Sequence, residues 1–459
     1  MARKLGLRGY QQRGIEIFGK LANPPRHFFT WDMGAGKTIG AISVAKAYSR
    51  KRVLIVCPAI VRGTWLREIG KHWPDANAAS ITVGRKPKLS KAKSLERDLA
   101  YQADVQVISY DLLCNVEAQG WEMIIVDEFH NLRSPQSKQS KMMRHLFVAN
   151  PNAWALGLSG TPIPNEAQQL WNPVNTFFPE MWGRFSKPFR TPWHFLNKFC
   201  QKEINEYGTR FYGLKEETKH VLEEEFGRVS FRVTQSEFAK YLPPLIVEPI
   251  HLDEEKDPVK LAVEWYESVK NECPHVGIYT HLRQTARDIY DALNKNDYHG
   301  PRRYLITGET GSSTRDDFLA SARKEASSVI IGTTHALKEG ISLSFQKAAL
   351  VVEWVTAVDE VTQFIARFAR QDSKSQAPTY VKFVVQPNDQ SRAEVLAQRI
   401  GNIQSLIKPS RADNLAADTF AAVEMSDEAF QSELSRLVAS QQKRSALWSP
   451  GDDDDDEDE

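Results

Sequence analysis

The 459-residue chain has few cysteines and no long apolar segment. Its four cysteines lie far apart and form no CxxC pair, which argues against a disulfide framework and against a cysteine-based zinc site. No apolar run approaches the ~18 residues that a membrane-spanning helix requires. The start of the chain also lacks the apolar stretch of a signal peptide. We therefore expect a cytoplasmic protein without a membrane partner.

Neither sign of charge dominates, because 59 lysines and arginines face 58 acidic residues and give a net charge of +1. This balance hides an asymmetry, since Asp452 to Glu459 is an uninterrupted run of eight acidic residues. Without that run, 50 acidic residues face 59 basic ones, and residues 1–451 carry about +9. A basic body with an acidic tail is typical of nucleic-acid-binding chains. The acidic run itself fits a solubilising end, a competitor for a basic DNA groove, or a docking site for a protein partner.

Short β-branched runs alternate with longer helical segments along the chain, which predicts parallel α/β sheets. Five strands are predicted in each half: His27–Trp31, Val53–Cys57, Val105–Ser109, Met123–Val126 and Ala155–Ser159, then His275–Tyr279, Arg303–Ile306, Val329–Gly332, Ala349–Glu353 and Tyr380–Val385. Strand signals are sparse between the halves, where Glu203 to Phe238 is predicted to be largely helical. The fold class is therefore α/β, with two successive doubly wound parallel-sheet lobes and a helical insertion.

The expected domain bounds follow from this pattern. Residues 1–164 form the first lobe, residues 165–249 the insertion and linker, and residues 250–410 the second lobe. Residues 411–459 form a flexible tail that ends in the acidic run.

A phosphate-binding loop is predicted at Trp31 to Thr38, with the sequence WDMGAGKT, because it follows a strand and precedes a helical segment. Backbone N–H groups of Met33, Gly34, Ala35 and Gly36 would cradle phosphates at the helix N-terminus. Lys37 would reach the β- and γ-phosphates, and the hydroxyl of Thr38 would bind Mg²⁺. The full P-loop pattern has glycine where Trp31 stands, so a chance GKT tripeptide stays open at this point.

A pair of acidic residues supports the phosphate site. Asp127 and Glu128 follow the apolar run Met123–Val126, ninety residues after Lys37. A carboxylate at the C-terminal end of a parallel strand lies on the ligand side of the sheet. Asp127 would bind Mg²⁺ and Glu128 would orient the attacking water. A helix-capping acidic loop is the alternative, but it does not explain why the pair follows a buried strand in the lobe that holds the P-loop.

The motifs together resemble superfamily-two helicases, and specifically the SWI/SNF-type ATPases, from Leu7 to about Val385. Family motif I also lacks the early glycine. The first-half matches are Leu7–Gln11, Asp32–Thr38, Val53–Pro58 with Trp65, Val107–Tyr110, and Ser159–Pro162. Two stretches resemble the SWI/SNF branch in particular: 169–179 and 231–244. In the second half, Gly340–Leu343 resembles motif V and Gln363–Arg370 resembles motif VI.

The resemblance implies two RecA-like lobes that bind ATP and Mg²⁺ between them. It implies that Gln11 reads adenine, that Gly340 contacts the nucleotide, and that Arg367 and Arg370 reach the γ-phosphate from the second lobe. A solvated helix face is the alternative for the two arginines, since i, i+3 arginines are common on amphipathic helices. The sequence departs from the family at Leu337 and Lys338 in motif V, and at Ala366 and Ala369 in motif VI.

The partner that the resemblance implies is DNA, most simply duplex DNA held through its backbone without sequence specificity. The candidate contacts are Arg62, Ser109, Thr161, His281, Thr333 and Lys338. We expect an ATP-driven duplex-DNA translocase, as a compact member of a prokaryotic or phage type. The alternatives are a strand-separating DNA or RNA helicase and an ATP-switched nucleic-acid clamp. A kinase or small-molecule ATPase would leave the second α/β lobe unexplained.

Overall fold

The computed structural model describes most of the chain up to residue 404, in the ranges 7–84, 90–163, 167–179, 192–205, 208–234, 237–238, 242, 244–296, 299–338, 340–370 and 378–404, and residues 415–416 and 420. The predicted tail from residue 411 lies outside these ranges apart from Leu415, Ala416 and Phe420, and so does the acidic run. Within the described ranges, no helix has the length and apolar character needed to cross a membrane.

The strands of the described residues form two parallel sheets and one hairpin. Their bounds are β1 (Arg26–Trp31), β2 (Val53–Cys57), β3 (Ala78–Ile81), β4 (Val105–Ser109), β5 (Met123–Asp127), β6 (Trp154–Leu158), β7 (Gln201–Asn205), β8 (Gly208–Tyr212), β9 (Ser230–Val233), β10 (Leu245–His251), β11 (His275–Thr280), β12 (Arg302–Ile306), β13 (Ser328–Thr333), β14 (Ala348–Val351) and β15 (Thr379–Val385). The first sheet has the order β3-β4-β2-β5-β6-β1-β9, and the second has the order β10-β15-β14-β11-β13-β12. Strands β7 and β8 pair antiparallel.

Helices connect these strands and cover both faces of each sheet. Their bounds are α1 (Gly9–Gly19), α2 (Lys37–Ala47), α3 (Arg62–His72), α4 (Lys91–Gln102), α5 (Lys138–Ala149), α6 (Trp171–Phe177), α7 (Pro192–Phe199), α8 (Glu216–Val229), α9 (Pro258–Val269), α10 (Arg283–Asn296), α11 (Ser312–Ala322), α12 (Thr334–Leu337), α13 (Val358–Ile365) and α14 (Gln390–Gln404).

Burial on both faces explains why the central strands are uninterrupted apolar runs. In β2, Leu54 and Val56 belong to one buried cluster of the first lobe, whereas Val53 and Ile55 belong to the cluster on the other face. Successive side chains of a strand point to opposite faces, so a sheet covered on both sides needs apolar residues at every position. The second sheet follows the same rule. The expected α/β fold with two doubly wound lobes is confirmed.

All ten predicted strands are present, with ends that shift by at most two residues. The sequence did not reveal β3, β9 and β10, which lie at sheet edges. An edge strand has one unpaired side and tolerates residues that a central strand excludes. Strand β10 carries Glu248 and Pro249, and β3 is built mainly from small residues.

The largely helical prediction for Glu203 to Phe238 is corrected. Helix α8 is present, but the hairpin β7–β8 precedes it and β9 follows it directly. Strand β9 pairs with β1 in the first sheet, and β10 pairs with β15 in the second. Strand β9 and the first five residues of β10 fall within the expected insertion 165–249, so the C-terminal part of that segment contributes to the two sheets. These two segments are strands because they pair with distant strands, and local sequence propensity does not indicate such pairing.

Candidate active site

The loop between β1 and α2 has the geometry of a phosphate cradle. Two glycines on this loop adopt left-handed backbone conformations, Gly34 with φ 83° and Gly36 with φ 80°. Glycine reaches this region without the steric cost that a Cβ atom imposes. Gly36 is the N-cap of α2, which begins at Lys37. The loop N–H groups and the helix N-terminus therefore face the same space, where an anion is stabilised.

The ammonium group of Lys37 lies inside this cradle. Its Nζ donates a hydrogen bond to the carbonyl oxygen of Trp31 at 3.0 Å. Burial lowers the pKa of Lys37, while the carboxylates of Glu128 and Asp127 act in the opposite direction and the charge of Arg370 adds to the lowering. A Cβ atom added at Gly160 would lie 2.9 Å from Met33 Cγ and 3.1 Å from Nζ, so the backbone at Gly160 passes close to the lysine. The lysine is thus held close to both acids and to an arginine of the second lobe.

The carboxylates of Asp127 and Glu128 stand at the C-terminal end of β5, as predicted. Asp127 is 9% exposed, and its Oδ2 accepts a hydrogen bond from Trp65 Nε1 at 2.8 Å. Its Oδ1 accepts from the backbone N–H of Glu128 at 3.1 Å. Hydrogen bonds to both oxygens fix the plane of the carboxylate, and a carboxylate oxygen can ligate a metal ion as well as accept a hydrogen bond.

A small polar network surrounds the side chain of Glu128. Ser159 Oγ donates to Glu128 Oε2 at 3.3 Å, and His130 Nδ1 lies 3.0 Å from the same serine hydroxyl. The backbone N–H of Thr161 also donates to Ser159 Oγ, at 3.1 Å. The hydroxyl of Thr161 then accepts from Gln363 Nε2 of the second lobe at 3.2 Å. A short chain of polar contacts therefore joins the carboxylate of Glu128 to α13.

Both predicted arginines face the same cavity as the P-loop. A cavity of about 770 Å³ between the lobes is lined by Lys37, Thr38, Asp127 and Glu128 of the first lobe and by Arg367 and Arg370 of the second, with Met33, Gly34, Gly36 and Gly340 also in its wall. The two arginines follow α13, and Arg367 is only 6% exposed. The alternative of a solvated helix face is therefore wrong for Arg367.

The two lobes approach each other closely at this cleft. A Cβ atom at Gly34 would lie 4.0 Å from the carbonyl oxygen of Ala369, and a Cβ atom at Gly340 would lie 2.9 Å from Val61 Cγ1. On the other side of the cleft, Arg67 of α3 and Asp316 of α11 form an ion pair at 3.6 Å. The two lobes therefore contact each other at several points around the cleft.

The charges around the cavity suit a polyphosphate with a divalent cation. The cavity wall holds five cationic and five acidic side chains, and Arg367 Nε has no hydrogen-bond acceptor among the described residues although it is buried. A buried donor of this kind favours an anionic ligand. No group of three or more histidine, cysteine or acidic side chains in the described ranges could hold a metal ion alone. Mg²⁺ bound through Thr38, Asp127, water and phosphate oxygens fits this donor set, because Mg²⁺ prefers oxygen ligands and retains water.

Gln11 departs from the expected arrangement. Its side chain is 5% exposed and lies outside the cavity wall. Its Nε2 donates to the carbonyl oxygen of Ala35 at 3.2 Å, and its Oε1 accepts from the backbone N–H of Arg8 at 3.0 Å. Tyr10 donates to the same carbonyl of Ala35 at 2.9 Å. In this conformation the Gln11 amide contacts the P-loop backbone, and its contact with adenine stays a prediction.

The six candidate nucleic-acid contacts fall into three groups. Ser109, Thr161 and Thr333 are at most 8% exposed, so their side chains do not reach a phosphate backbone in this conformation. Arg62 donates to the carbonyl oxygen of Ile81 at 2.6 Å. Lys338 is half-buried, with its Nζ 3.8 Å from Glu360 Oε2, whereas His281 is exposed.

Two contacts at the site were not expected from the sequence. Trp65 of the motif match is buried, and its indole N–H donates to the Asp127 carboxylate. Arg232 of β9 places Nη2 2.6 Å from Asp32 Oδ1 and donates to the carbonyl oxygen of Thr30 at 2.6 Å. Strand β9 thereby brings the stretch 231–244, which resembles the SWI/SNF branch, into contact with the P-loop. Arg232 and Asp32 are two hundred positions apart, so no local sequence pattern indicates their contact.

The family model of the SNF2-related domain matches residues 10–296, which is more than half of the chain. Among similar proteins, the TATA-binding protein-associated factor mot1 of Aspergillus fumigatus is 27% identical over 281 residues, covering 55% of this chain and 14% of that protein. The ISWI chromatin-remodeling complex ATPase ISW1 of Saccharomyces cerevisiae is 30% identical over 188 residues, covering 39% of this chain and 16% of that protein. The DNA annealing helicase and endonuclease ZRANB3 of Homo sapiens is 29% identical over 208 residues, covering 44% of this chain and 18% of that protein.

Among solved structures, the SWI2/SNF2 ATPase core of Sulfolobus solfataricus in complex with dsDNA covers 93% of this chain and 97% of that chain, with 19% identity and a TM-score of 0.44. The present chain spans only 14% to 18% of the length of the three relatives named above. The extent of the family match, together with the P-loop and the Asp127–Glu128 pair in one cleft, shows that the chain belongs to the SNF2-related domain family, whose members are nucleic-acid-dependent ATPases of the helicase superfamily.

Proposed function

We propose that this chain is an ATP-dependent translocase on double-stranded DNA, which couples ATP hydrolysis to movement along the duplex or to remodelling of DNA–protein complexes. The observation that carries the proposal is the composition of the cavity. Groups suited to the triphosphate and its metal line one wall, and two arginines of the other lobe line the opposite wall. Because hydrolysis requires groups from both lobes, it depends on how the two lobes are positioned relative to each other.

The residues of the first lobe bind the nucleotide and activate the attacking water. The P-loop N–H groups and the Lys37 ammonium hold the phosphate oxygens. Thr38 and Asp127 would hold Mg²⁺, which neutralises charge on the β- and γ-phosphates when bound. Glu128 orients and polarises the attacking water, and the hydroxyl of Ser159 fixes its carboxylate. Phosphoryl transfer to water is accelerated by such positioning and charge stabilisation without a covalent intermediate.

The arginines of the second lobe make hydrolysis depend on closure. Arg367 and Arg370 would stabilise charge that develops on the γ-phosphate, as arginine fingers do, by about 10³–10⁵ in rate. ATP contacts both lobes and therefore favours their closed state. The products lack the contact with the γ-phosphate and no longer favour closure. If the lobes hold the DNA backbone while they close and open in turn, the protein moves along the DNA in steps.

Support for duplex DNA as the partner comes from charge and from the relatives. Residues 1–451 carry about +9, which suits a polyanionic partner. The names of similar proteins refer to DNA annealing, chromatin remodeling and a TATA-binding protein-associated factor. We expect backbone contacts without base readout, and a cytoplasmic location in a prokaryotic or phage-infected cell. The acidic tail is a candidate contact for a protein partner.

The nucleic-acid specificity of ATP turnover tests this proposal. Turnover is measured with duplex DNA, single-stranded DNA and RNA at equal nucleotide concentration, beside a strand-displacement assay. We expect stimulation by duplex DNA without strand separation. The stimulation should weaken steeply as salt rises, because binding through phosphates releases counterions.

The other outcomes favour the alternatives. Stimulation by single strands with strand displacement would identify a helicase, and stimulation by RNA alone would identify an RNA-remodelling enzyme. ATP-dependent duplex binding without hydrolysis in a single turnover would identify a clamp that uses ATP as a switch.

A further inference from the structure

Two buried aromatic side chains donate hydrogen bonds to the acidic pair at the end of β5. Trp65 is 1% exposed, and its Nε1 donates to Asp127 Oδ2 at 2.8 Å. The opposite carboxylate oxygen accepts from the N–H of Glu128. Because a donor contacts each oxygen, the plane of the carboxylate is fixed, and so is the direction in which it faces a metal ion. The partner of a ligating carboxylate sets the affinity of the site for the metal in this way.

The second aromatic residue acts on the backbone of the pair. Tyr110 is 8% exposed, and its hydroxyl lies 2.7 Å from the carbonyl oxygen of Asp127 and 3.2 Å from that of Glu128. The carbonyl oxygen of Glu128 also accepts from the backbone and the side-chain nitrogens of Asn131, at 2.9 and 3.0 Å. The carbonyl oxygens of both acidic residues are therefore held by hydrogen bonds from neighbouring residues.

The anchoring matters because Glu128 has an unfavourable backbone conformation. Its φ is 50°, in the left-handed region that residues with a Cβ atom rarely adopt. Such a conformation persists only where surrounding contacts hold it, and relaxation would redirect the side chain. The tyrosine hydroxyl is one of the contacts that oppose this relaxation.

We propose that Trp65 and Tyr110 are positioning residues for hydrolysis: Trp65 sets the Asp127 carboxylate for Mg²⁺, and Tyr110 holds Glu128 in the conformation that orients water. This inference rests on the proposed ATP hydrolysis at the same site. Trp65 also contributes to the cavity wall, but in this assignment neither side chain contacts the reacting atoms. Both act through the acidic pair.

Two conservative variants test the two roles separately. Trp65→Phe removes the indole donor and keeps an aromatic ring, so about 10–100-fold more Mg²⁺ is expected for half-maximal binding of a fluorescent ATP analogue. Tyr110→Phe removes one oxygen atom. It should lower kcat by about tenfold at saturating Mg²⁺, with little change in KM for ATP, because the ground-state phosphate contacts are intact.

Matched controls in the same lobe make the same chemical changes elsewhere. Trp121 is 4% exposed and donates from Nε1 to the carbonyl oxygen of Glu117 at 2.8 Å, and the hydroxyl of Tyr101 donates to that of Val83 at 3.3 Å. Trp121→Phe and Tyr101→Phe should keep the wild-type Mg²⁺ dependence and kcat. Thermal unfolding of every variant shows that the proteins compared are folded.

The outcomes separate this inference from the proposed function. If the Trp65 and Tyr110 variants match their controls while wild-type protein hydrolyses ATP, the positioning roles are overturned and the proposed function stands. Wild-type protein that binds ATP without turnover overturns the proposed function together with the role of Tyr110, while the Mg²⁺ dependence of nucleotide binding still decides the role of Trp65. If Trp65→Phe does not fold, the kcat and KM values of Tyr110→Phe alone decide the proposal.

Discussion

Replacing Glu128 with glutamine is expected to lower the turnover number by about 10²–10⁴-fold, because the amide cannot polarise the attacking water as a carboxylate does. ATP affinity should be nearly unchanged, since the P-loop, Lys37 and Asp127 remain in place. The amide oxygen can still accept from Ser159 Oγ, so the local network is disturbed little. Single-turnover hydrolysis of radiolabelled ATP measures the chemical step, and equilibrium binding of a fluorescent ATP analogue measures affinity.

A matched control for this substitution lies at the other end of the same strand. Glu122 directly precedes β5 and accepts a hydrogen bond from the N–H of Lys51 at 3.0 Å, away from the cleft. Glu122→Gln makes the same chemical change and should leave hydrolysis unaltered. Equal hydrolysis rates in Glu128→Gln and wild-type protein would refute the assignment of Glu128 to the water.

Arg370→Ala tests the contribution of the second lobe. Loss of an arginine that contacts the γ-phosphate from the opposite wall should lower kcat by about 10³–10⁵-fold. ATP should still bind nearly as well, because the groups of the first lobe supply most of the phosphate contacts. The charge of Arg370 already acts on Lys37 in this structure, where it lowers the pKa of the ammonium group. Steady-state turnover and nucleotide affinity are measured with duplex DNA present.

The control for Arg370 is an exposed arginine of the same lobe. Arg287 pairs with Glu309 on the surface of the second lobe, and Arg287→Ala should have wild-type turnover. Unchanged turnover in Arg370→Ala would reject the cross-cleft role. A loss of ATP affinity as large as the loss of kcat/KM would instead show an arginine that binds substrate and transition state equally.

Sequence alone predicted the centre of each lobe well and its edges poorly. Central strands such as β2 and β13 are buried on both faces and appear as continuous apolar runs. Strand β9 has only four residues and continues directly from α8, with no turn residue between them. Its structure follows from pairing with β1, which is about two hundred residues earlier in the chain.

The same contrast holds for the candidate site. The P-loop and the Asp127–Glu128 pair are local patterns, and the structure places both at one cleft. The contacts of Trp65 with Asp127 and of Gln363 with Thr161 join distant segments and depend on three-dimensional packing. The role of Gln11 came from resemblance, whereas its amide is here bonded to Arg8 and Ala35.

Triplex displacement tests most directly whether a nucleotide hydrolysed between the two lobes drives movement along duplex DNA. A third strand is bound at one end of a linear duplex, and its release is followed after ATP is added. Wild-type protein should release the strand at a rate that follows duplex-stimulated turnover, and Glu128→Gln should not release it. A third strand that stays bound while wild-type protein hydrolyses ATP on the same duplex would contradict this account.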